Sequence, residues 1–359
     1  MKIVIVGGVA GGASAAARIR RLDESAQIIM FERSGFVSYA NCGLPYYIGG
    51  VITDSDDLTL QTPESFWERF RIDVRVRHEV TDIDTAAKTV TVHGLDTGKI
   101  YTESYDRLIL SPGARPTAPD MPGLDSDRVF TLRTVEDTLK IRSFIDEKKP
   151  SSAVVIGGGF IGIEMAENLS AQGAGVTLVE YADHILAPFD ADMAAQLHIL
   201  MEKHGIRLML RTAVTGFEEN DGRVTVKTSS GDITADMALL AIGVTPDTSL
   251  AEKAGLKLGI KGAIEVNEKM ETSAPDVYAV GDAVAVKHFV TGGSALISLA
   301  GPANRQGRIA ADNVCGGNSL YKGSQGSSVI KLFDMTAAAT GINESAAKAA
   351  GIDYDYVIL

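Results

Sequence analysis

Two segments of the chain repeat one local pattern, and this repeat strongly limits the fold. Each has a short β-branched strand, a glycine-rich loop, a helical stretch and a second strand that ends in glutamate. The first segment reads "KIVIVGGVAGGASAAARIRRL" and then "AQIIMFERS"; the second reads "SAVVIGGGFIGIEMAENLSAQGAGVTLVEY". Such βαβ units form parallel sheets that bind ligands at the carboxyl ends of their strands. The repeat predicts an α/β protein with two Rossmann-like domains.

The glycine loops predict the type of ligand. The second loop is an unbroken G-x-G-x-x-G formed by Gly157, Gly159 and Gly162. Between a strand and a helix, such a loop turns free backbone N–H groups and the positive helix end toward the crevice, which favours a pyrophosphate. In the first loop the motif positions are occupied or adjoined by Gly7, Gly11 and Gly12, and Val9 replaces the middle glycine. We predict one dinucleotide site in each unit.

The strand-end glutamates predict which nicotinamide cofactor is used. Glu32 and Glu180 each provide an acceptor for a ribose 2′-OH, and either carboxylate would repel a 2′-phosphate. The alternative is that each is only a solvated strand-end glutamate. Tyr181, Ala182 and Asp183 follow Glu180, with no arginine among them. We therefore expect NADH rather than NADPH.

Composition excludes several classes of partner. A chain of 359 residues with 45% hydrophobic residues is too long for one core. The net charge is −12 and the basic residues are scattered, so we expect small-molecule ligands rather than nucleic acid or a membrane surface. No apolar run reaches the roughly 18 residues of a membrane helix, and "MKIVIVGG" lacks a signal peptide's features. We expect a cytoplasmic protein without a disulfide framework or a metal site.

The remaining segments predict further sheet structure. "KTVTVHGL" is typical of an antiparallel excursion from the first unit, and "RVTVKTSSGDITADMALLAIGVTPDT" repeats that arrangement after the second. "PDVYAVGDAV" reads as a buried strand that ends in Gly281 and Asp282. Beyond about residue 322, "SSVIKLFDMTAAATG", a short helix near residues 344–350 and "YDYVIL" indicate the start of a further α+β unit, which the sequence does not complete.

The ordered set "VGGVAGG", "SYANCGLPY", "LILSPGARP", "VVIGGGFIGIE", "AIGVTPDTSL" and "DVYAVGDAV" resembles the FAD-dependent pyridine nucleotide-disulfide oxidoreductases with a single redox-active cysteine. "ANCGLPYYIGG" and "LAGPANRQGRIAADN" are most similar to coenzyme A (CoA) disulfide reductases and NADH-dependent persulfide reductases. The resemblance covers about residues 1–340. It implies a glutathione-reductase-like homodimer with an FAD-binding domain (1–112 and 241–321), an NAD(H)-binding domain (113–240) and the start of an incomplete dimerisation domain (322–359).

The resemblance also implies two sets of cofactor contacts. The FAD set lies in the first glycine loop, at strand ends and in later loops: Gly7, Val9, Ala10, Gly11, Gly12, Glu32, Arg33, Asn41, Val80, Ser111, Pro112, Gly113, Arg133, Gly281, Asp282, Leu299 and Ala300. The NADH set lies in and after the second loop: Gly157, Gly159, Phe160, Ile161, Gly162, Glu164, Glu180 and Gly243. In this family NADH binds over one face of the flavin and the redox-active cysteine lies at the other.

Cys42 is the expected nucleophile. A lone cysteine in a reducing compartment is usually an inert buried residue, but the resemblance places Cys42 beside the flavin at the start of a helix, where the thiol pKa is lowered. Val37 and Tyr47 occupy the places of a second cysteine in dithiol relatives, so Cys42 would pair with a sulfur from outside the chain. Cys315, which follows a helical segment, is expected to be structural.

Substrate contacts follow from the same resemblance. Arg18 and Arg21 are three positions apart on one helix face, with Ser14 one turn earlier, and this face would bind the adenine nucleotide of CoA. A solvated basic face is the alternative. The groups near the reacting sulfur would be Ser38, Asn41, Asn304 and Arg305. Tyrosines that reach across from the partner subunit in this family would fall after Leu359, which leaves turnover and dimer formation open.

These features predict an oxidoreductase that passes electrons from NADH through FAD to the sulfur–sulfur bond of a CoA disulfide or persulfide. The sequence does not distinguish between these two substrates. One alternative is reduction of peroxide or oxygen through a Cys42 sulfenic acid. Relatives with that chemistry have a histidine in the first glycine loop, where this chain has Ala10. The other alternative is a flavin-binding fragment without catalytic activity.

Overall fold

The computed structural model describes residues 1–358, which cluster into two compact units. Unit 1 comprises Met1–Ala40, Thr59–Arg115 and Thr245–Gly326. Unit 2 comprises Asn41–Leu58, Pro116–Val244 and the chain from Ser327 onward. Each unit contains one of the two glycine loops. Within residues 1–358, every helix is too short or too polar to cross a bilayer.

Helices α1 and α5 each connect two parallel strands, as expected of an α/β protein, whereas other strands follow one another without a helix between them. The strands are β1 Lys2–Val6, β2 Gln27–Phe31, β3 Asp73–Arg75, β4 His78–Asp84, β5 Thr89–Gly94, β6 Lys99–Ser104, β7 Arg107–Leu110, β8 Ala114–Pro116, β9 Val129–Phe130, β10 Ser152–Ile156, β11 Gly175–Val179, β12 Arg207–Met209, β13 Val214–Asn220, β14 Arg223–Thr228, β15 Ile233–Ala235, β16 Met237–Leu240, β17 Val244–Pro246, β18 Ile264–Glu265, β19 Val277–Ala279, β20 Val284–Lys287, β21 Ser294–Ala295, β22 Ser328–Leu332 and β23 Met335–Ala339. The helices are α1 Ala10–Leu22, α2 Leu44–Ile48, α3 Pro63–Phe70, α4 Val135–Lys148, α5 Phe160–Ala171, α6 Ala191–Lys203, α7 Ser249–Lys253, α8 Ala300–Val314 and α9 Glu344–Ala349.

A parallel sheet of strand order β19-β7-β1-β2-β3 forms the centre of unit 1. Its strands "KIVIV" and "QIIMF" are almost continuously apolar because both faces of the sheet are covered. Helix α1 buries Gly11, Gly12, Ala15, Ala16 and Ile19, a helical spacing that places these small residues on one face. The carboxyl ends of β1 and β2 therefore open beside the start of α1.

Unit 2 repeats this design with the parallel strand order β12-β11-β10-β16-β9. Strand β10 pairs with β11 from Ser152↔Gly175 to Ile156↔Val179, so both strands end at the same edge. Helix α5 begins at that edge, after the second glycine loop. The predicted α/β class with two Rossmann-like sheets is confirmed.

The predicted antiparallel excursions are also present. Strands β4, β5 and β6 form a meander in unit 1, and β13, β14 and β15 form a second meander in unit 2. In β5 the residues alternate between buried and half-buried, as expected for a strand with one face on the core.

The segment from Ser327 onward packs against the rest of unit 2. Strands β22 and β23 form an antiparallel hairpin, and the backbone N–H of Phe333 in its turn donates to Glu167 Oε1 at 2.7 Å. The Phe333 ring stacks on His204 with centroids 3.8 Å apart. Helix α9 is capped by Asn343, whose side-chain amide donates to Ala187 O at 2.9 Å. The described part of "YDYVIL" has neither helix nor strand.

The second glycine loop fits closely beneath the start of α5. A Cβ added at Gly162 would lie 1.9 Å from Gly157 O, whereas one added at Gly159 would meet no atom within 4 Å. Gly157 has a φ of +108°, which strongly favours glycine. Helix and strand can therefore approach this closely only with glycine at position 162.

We predict that two Gly→Ala substitutions in this loop differ in their effect on stability. Alanine in a helix normally stabilises it by about 1 kcal/mol relative to glycine. For Gly162→Ala the clash should prevail and lower the unfolding free energy of unit 2 by about 1–3 kcal/mol. Gly159→Ala is the matched control and should unfold like the parent. Thermal unfolding followed by circular dichroism tests this, and an unchanged or higher Tm for Gly162→Ala would contradict the geometry.

Candidate functional site

The helix that follows each glycine loop has an open N-terminus. Helix α1 begins after Val9 and α5 after Gly159, and neither has a side-chain cap or an acidic residue in its first turn. Helix α4, in contrast, is closed by a capping box of Thr134 and Asp137. The free N–H groups of α1 and α5 and their positive helix ends suit a pyrophosphate.

The strand-end glutamates hold the two loops in the same way. The N–H of Gly8 donates to Glu32 Oε2 at 2.8 Å, and the N–H of Gly158 donates to Glu180 Oε2 at 2.5 Å. The second oxygen also accepts in each case, since Ser34 N–H donates to Glu32 Oε1 at 3.0 Å and Ala182 N–H donates to Glu180 Oε1 at 2.7 Å. Both carboxylates are therefore fixed at the edge of a loop.

A cavity of about 80 Å³ in unit 1 brings several predicted FAD residues together. Those that line it are Gly7, Glu32, Arg33, Val80 and Pro112. It is also lined by residues that sequence reasoning missed, namely Val6, Phe31, His78, Glu79, Asp247, Ser249 and Leu250. Arg33 is fixed there by an ion pair with Asp247, with Nη2 and Oδ2 2.7 Å apart.

The rest of the first loop is a tight cradle. Gly12 N–H donates to Ser111 Oγ at 3.1 Å, and a Cβ at Gly11 would lie 2.8 Å from that oxygen and from Val280 Cγ2. Gly281 has a φ of +83°, and its N–H donates to Gln306 Oε1 at 2.7 Å. A Cβ added at Gly7 or Gly12 would meet backbone oxygen and one added at Gly11 would meet side chains, so the loop leaves its N–H groups close to a ligand and fits the phosphate part of a dinucleotide.

The remaining predicted FAD residues lie around loop ends and helix starts. In unit 1, Ala10 opens α1, Gly113 has a φ of +73°, Asp282 lies in a 3₁₀ turn and Leu299 precedes Ala300, the first residue of α8. In unit 2, Arg133 N–H donates to Asp137 at 2.9 Å, and Asn41 has a buried side-chain oxygen without a hydrogen-bond partner among the described residues. That oxygen can accept a bond from a ligand.

The predicted NADH residues cluster at one edge of unit 2. Phe160 and Ile161 form the start of α5, and Glu164 lies one turn further on. Gly243 is exposed, with a φ of +121°, and follows the end of β16. With Glu180 at the end of β11, this edge combines a glycine loop, an open helix start and a carboxylate acceptor, which together suit a dinucleotide.

Cys42 lies in a 3₁₀ turn, Asn41–Gly43, immediately before α2. Its side chain is exposed to solvent, yet the protein around the sulfur raises the thiol pKa, first through partial burial and then through the charge of Glu164. The expectation that a helix start lowers this pKa is therefore wrong for the chain alone. Helix α2 has only five residues, and the nearest formal charge is negative rather than positive.

Helix α5 presents acidic groups to the segment that contains Cys42. Gln172 Nε2 donates to Gly49 O at 2.5 Å, which ties α2 to the end of α5. Burial and the neighbouring Glu167 raise the pKa of Glu164 to about 7. Burial, Glu164, Glu167 and Cys42 also raise the pKa of the Tyr46 phenol. Cys42 thus lies in an acidic cluster in which Glu164 can gain or lose a proton near neutral pH.

The predicted CoA contacts line helices α1 and α8 in unit 1. Ser14 Oγ donates to Asn304 Oδ1 at 2.7 Å, and Arg18 Nε lies 2.8 Å from Asp312 Oδ1. Arg21 and Arg305 are exposed, and Ser38 has a φ of +49°. The structure thus brings Ser14 and Asn304 together and engages Arg18 in an ion pair that the sequence did not predict.

Cys315 has the surroundings of a structural residue. It caps the end of α8, where its N–H donates to Ala311 O at 3.1 Å, and it packs against the core of unit 1. Burial raises its thiol pKa. These surroundings favour an unreactive thiol.

Sequence reasoning missed an arginine near Glu180. Thr212 N–H donates to Glu180 O at 3.0 Å and Arg211 N–H donates to Ala182 O at 2.9 Å, so Arg211 lies beside the end of β11. Arg211 is far from Glu180 along the chain, and only the parallel pairing of β11 with β12 brings the two together. A prediction that β12 lies beside β11 in the parallel sheet would have revealed that Arg211 is close to Glu180.

Among residues 1–358, no group of three or more histidine, cysteine or acidic side chains could hold a metal ion. A solvent-open depression of about 590 Å³ is lined by the loop Ala118, Pro119, Asp120, Met121, Leu124 and Asp125. It contains none of the predicted site residues, and its size reflects open solvent rather than a shaped pocket.

Two matched cradles for dinucleotides, together with an accessible thiol, define a class of protein: a dinucleotide-dependent oxidoreductase. Comparison with known proteins makes this more specific. The family model for pyridine nucleotide-disulphide oxidoreductases matches residues 1–307. Coenzyme A disulfide reductase of Staphylococcus aureus (strain JH9) is 39% identical over 358 residues, which is 99% of this chain and 79% of that protein.

Two solved structures are similar over nearly the whole chain. Reduced Bacillus anthracis CoADR-RHD has a TM-score of 0.96 and 53% identity, covering 99% of this chain and 64% of that one. An NAD-dependent persulfide reductase from A. fulgidus has a TM-score of 0.95 and 37% identity, covering 98% of this chain and 66% of that one. The chain belongs to the pyridine nucleotide-disulphide oxidoreductase family, as its sequence indicated, and it spans just under two thirds of these two structures.

We predict that Glu164→Gln lowers the pKa of Cys42, because it removes the negative charge that disfavours the thiolate. Alkylation of Cys42 by iodoacetamide at pH 7.5 should become several-fold faster, with its pH profile shifted to lower pH. The rate can be measured by mass spectrometry of the Cys42 peptide. Glu167→Gln is the matched control and should not shift the profile downward. Identical profiles for Glu164→Gln and the parent would contradict the coupling of these two groups.

Proposed function

We propose that this chain uses NADH and FAD to reduce the sulfur–sulfur bond of a CoA disulfide or CoA persulfide through Cys42. The observation that supports this most is the placement of an exposed thiol next to an ionisable glutamate in a chain with two dinucleotide cradles. The names of the relatives, a CoA disulfide reductase and a persulfide reductase, agree with this substrate class.

The net reaction balances without any other reductant. For a disulfide, NADH, one proton and RS–SR′ give NAD⁺, RSH and R′SH. A persulfide RSSH gives RSH and H₂S with the same electron count. When bound, FAD would provide the redox chemistry that carries two electrons from the nicotinamide to sulfur. The Cys42 thiolate would attack one substrate sulfur, so that a mixed disulfide forms as the substrate S–S bond breaks and the other sulfur leaves as a thiol. The two electrons from NADH would then cleave the mixed disulfide, which releases the second thiol and restores the Cys42 thiolate.

The residues of the chain have separate roles in this scheme. Glu32, Ser111 and the first glycine loop would hold the adenine nucleotide and pyrophosphate of FAD. Glu180 and the second loop would hold NADH, and the carboxylate would disfavour a 2′-phosphate. Glu164, with a pKa of about 7, would hold a proton near Cys42 and release it as the leaving sulfur becomes a thiolate.

CoA would bind along helices α1 and α8. Arg21 is exposed and therefore available to a phosphate, whereas Arg18 already pairs with Asp312 and would have to share its charge. Ser14, Ser38, Asn41, Asn304 and Arg305 would supply polar contacts. The domain boundaries given above, a cytoplasmic location and a homodimer are parts of this proposal.

We expect the purified protein to bind FAD and to be yellow. The open start of α1 and the first glycine loop favour a pyrophosphate, and Glu32 at the end of β2 would accept a hydrogen bond from the ribose. Absorbance of the desalted protein between about 350 and 500 nm, with release and quantification of the nucleotide, measures the occupancy. A folded protein that stays colourless after incubation with FAD would remove the proposed function.

We expect Cys42→Ser to bind FAD and accept hydride from NADH but to lose reduction of CoA disulfide by about 10³-fold or more, because a hydroxyl cannot form the mixed disulfide. Stopped-flow flavin reduction and steady-state NADH consumption measure the two steps separately. Cys315→Ser is the control and should behave like the parent. Undiminished disulfide reduction by Cys42→Ser would show that Cys42 is not the nucleophile, and NADH consumption that needs only oxygen would favour the oxidase alternative.

A further inference from the structure

The short helix that follows Cys42 is held at its end rather than at its start. Residues 41–58 cluster with unit 2, where α2 packs against α4 and α5. The N-cap residue of α2 is Gly43, which has no side chain with which to cap the helix. A helix of five residues is too short to be stable by itself, so its neighbours must fix its position.

Two side chains from these neighbours bind the carbonyl groups at the end of α2. Arg142 Nη1 on α4 donates to Ile48 O at 3.1 Å, and Gln172 Nε2 at the end of α5 donates to Gly49 O at 2.5 Å. Ile48 and Gly49 are both buried. Removing the donor from a buried carbonyl leaves that carbonyl unsatisfied, which disfavours the folded arrangement. The two side chains therefore anchor the end of α2.

Arg142 is itself fixed by an ion pair within α4. Its Nε lies 3.0 Å from Asp146 Oδ2, and its Nη2 lies 2.7 Å from Asp146 Oδ1. Because the guanidinium is planar, this fork also sets the direction of Nη1, which donates to Ile48 O. Asp146 thus orients the anchor without occupying the nitrogen that binds α2.

The contact between α2 and α5 leaves little room for movement. A Cβ added at Gly49 would lie 1.9 Å from Asn168 Oδ1. Asn168 is only 3% exposed, and its Nδ2 donates to Glu164 O at 2.7 Å, which fixes the orientation of its side chain. Helix α5 therefore holds α2 by close packing at Asn168 and by the hydrogen bond from Gln172.

We propose that Arg142 and Gln172 are positioning residues for Cys42: they hold the end of α2 and so fix the direction from which the Cys42 sulfur meets a substrate sulfur. This inference rests on the proposed function, because it takes Cys42 as the attacking group. Both residues act through the backbone of α2. A small misplacement of a reacting group lowers the rate of its reaction steeply, so anchoring of this kind affects the chemistry.

The test compares two reagents that react with the same thiolate. Iodoacetamide is small and can approach from many directions, whereas CoA disulfide is bulky and requires a defined approach. Both need the Cys42 thiolate, so a change in its pKa affects both rates alike, and the ratio of the rates reports the position of the sulfur. Both rate constants are measured at pH 7.5 on the FAD-loaded, oxidised protein without NADH, by mass spectrometry of the Cys42 peptide.

Arg142→Met and Gln172→Met keep a long side chain and remove the donor. In the double variant, the rate constant for CoA disulfide divided by that for iodoacetamide should fall about tenfold. Hydrogen exchange in residues 43–52 should become faster, because the end of α2 opens more often. Flavin reduction by NADH does not use Cys42 and should match the parent.

Two further variants separate positioning from stability. Arg142→Lys keeps a donor for Ile48 O and should recover part of the ratio that Arg142→Met loses. Ser143→Ala is the matched control, since it removes a hydrogen bond of 2.9 Å to Glu147 that stays within α4. Its ratio should equal that of the parent. A purely structural role would lower the Tm and leave the ratio unchanged.

The outcomes distinguish this inference from the proposed function. If CoA disulfide forms an adduct on Cys42 of the parent and the double variant has an equal or higher ratio, Arg142 and Gln172 do not position the sulfur and only this inference fails. If the parent forms no adduct on Cys42, the proposed function fails and the inference fails with it. Should the double variant not fold, Arg142→Met and Gln172→Met are compared singly by the same criterion.

Discussion

The hydrogen bond between a strand-end glutamate and the N–H of its glycine loop is the interaction on which both sites depend. It joins Glu32 to Gly8 and Glu180 to Gly158. In each unit it fixes the loop against the end of the neighbouring strand, so that the helix that follows starts with free N–H groups facing the crevice. The glycine repeat has a separate cause, since a Cβ at Gly12 or Gly162 would lie 1.9 Å from the backbone oxygen of Gly7 or Gly157.

The electrostatics around Cys42 set the chemical problem that the enzyme must solve. Burial and Glu164 both favour the neutral thiol, whereas attack on a disulfide requires the thiolate. Protonation of Glu164 removes the opposing charge, and its pKa of about 7 makes that change accessible at neutral pH. Thiol and carboxyl group are therefore best treated as a coupled pair, in which loss of a proton from one is easier when the other keeps its own.

The fold and the glycine loops could be predicted from local sequence because their signals are local. The spacing of Gly157, Gly159 and Gly162 after an apolar strand reflects a close backbone approach that only glycine allows. The replacement of the middle glycine by Val9 did not remove the open start of α1. Glu32 and Glu180 were identifiable for the same reason, since each directly ends its strand.

Features that depend on contacts between distant segments could not be predicted. Arg211 approaches Glu180 only through strand pairing, and Asp312 reaches Arg18 only because α8 packs on α1. The sign of the Cys42 pKa shift was predicted wrongly because partial burial of the thiol, and then the charge of Glu164 on another helix, both raise it, and because helix α2 is very short. The residues that line the cavity beside Glu32, such as His78 and Asp247, likewise come from separate strands and loops.

The central claim is that Cys42 forms a covalent bond with a substrate sulfur. The most direct measurement is mass spectrometry of the FAD-loaded protein, with Cys42 as a free thiol, the flavin oxidised and no NADH present, after anaerobic addition of one equivalent of CoA disulfide and rapid acid quenching. The account predicts a CoA adduct on the Cys42 peptide, release of one free CoA thiol and none on the Cys315 peptide. Consumption of CoA disulfide with no adduct on Cys42, or with the adduct on Cys315, would contradict it.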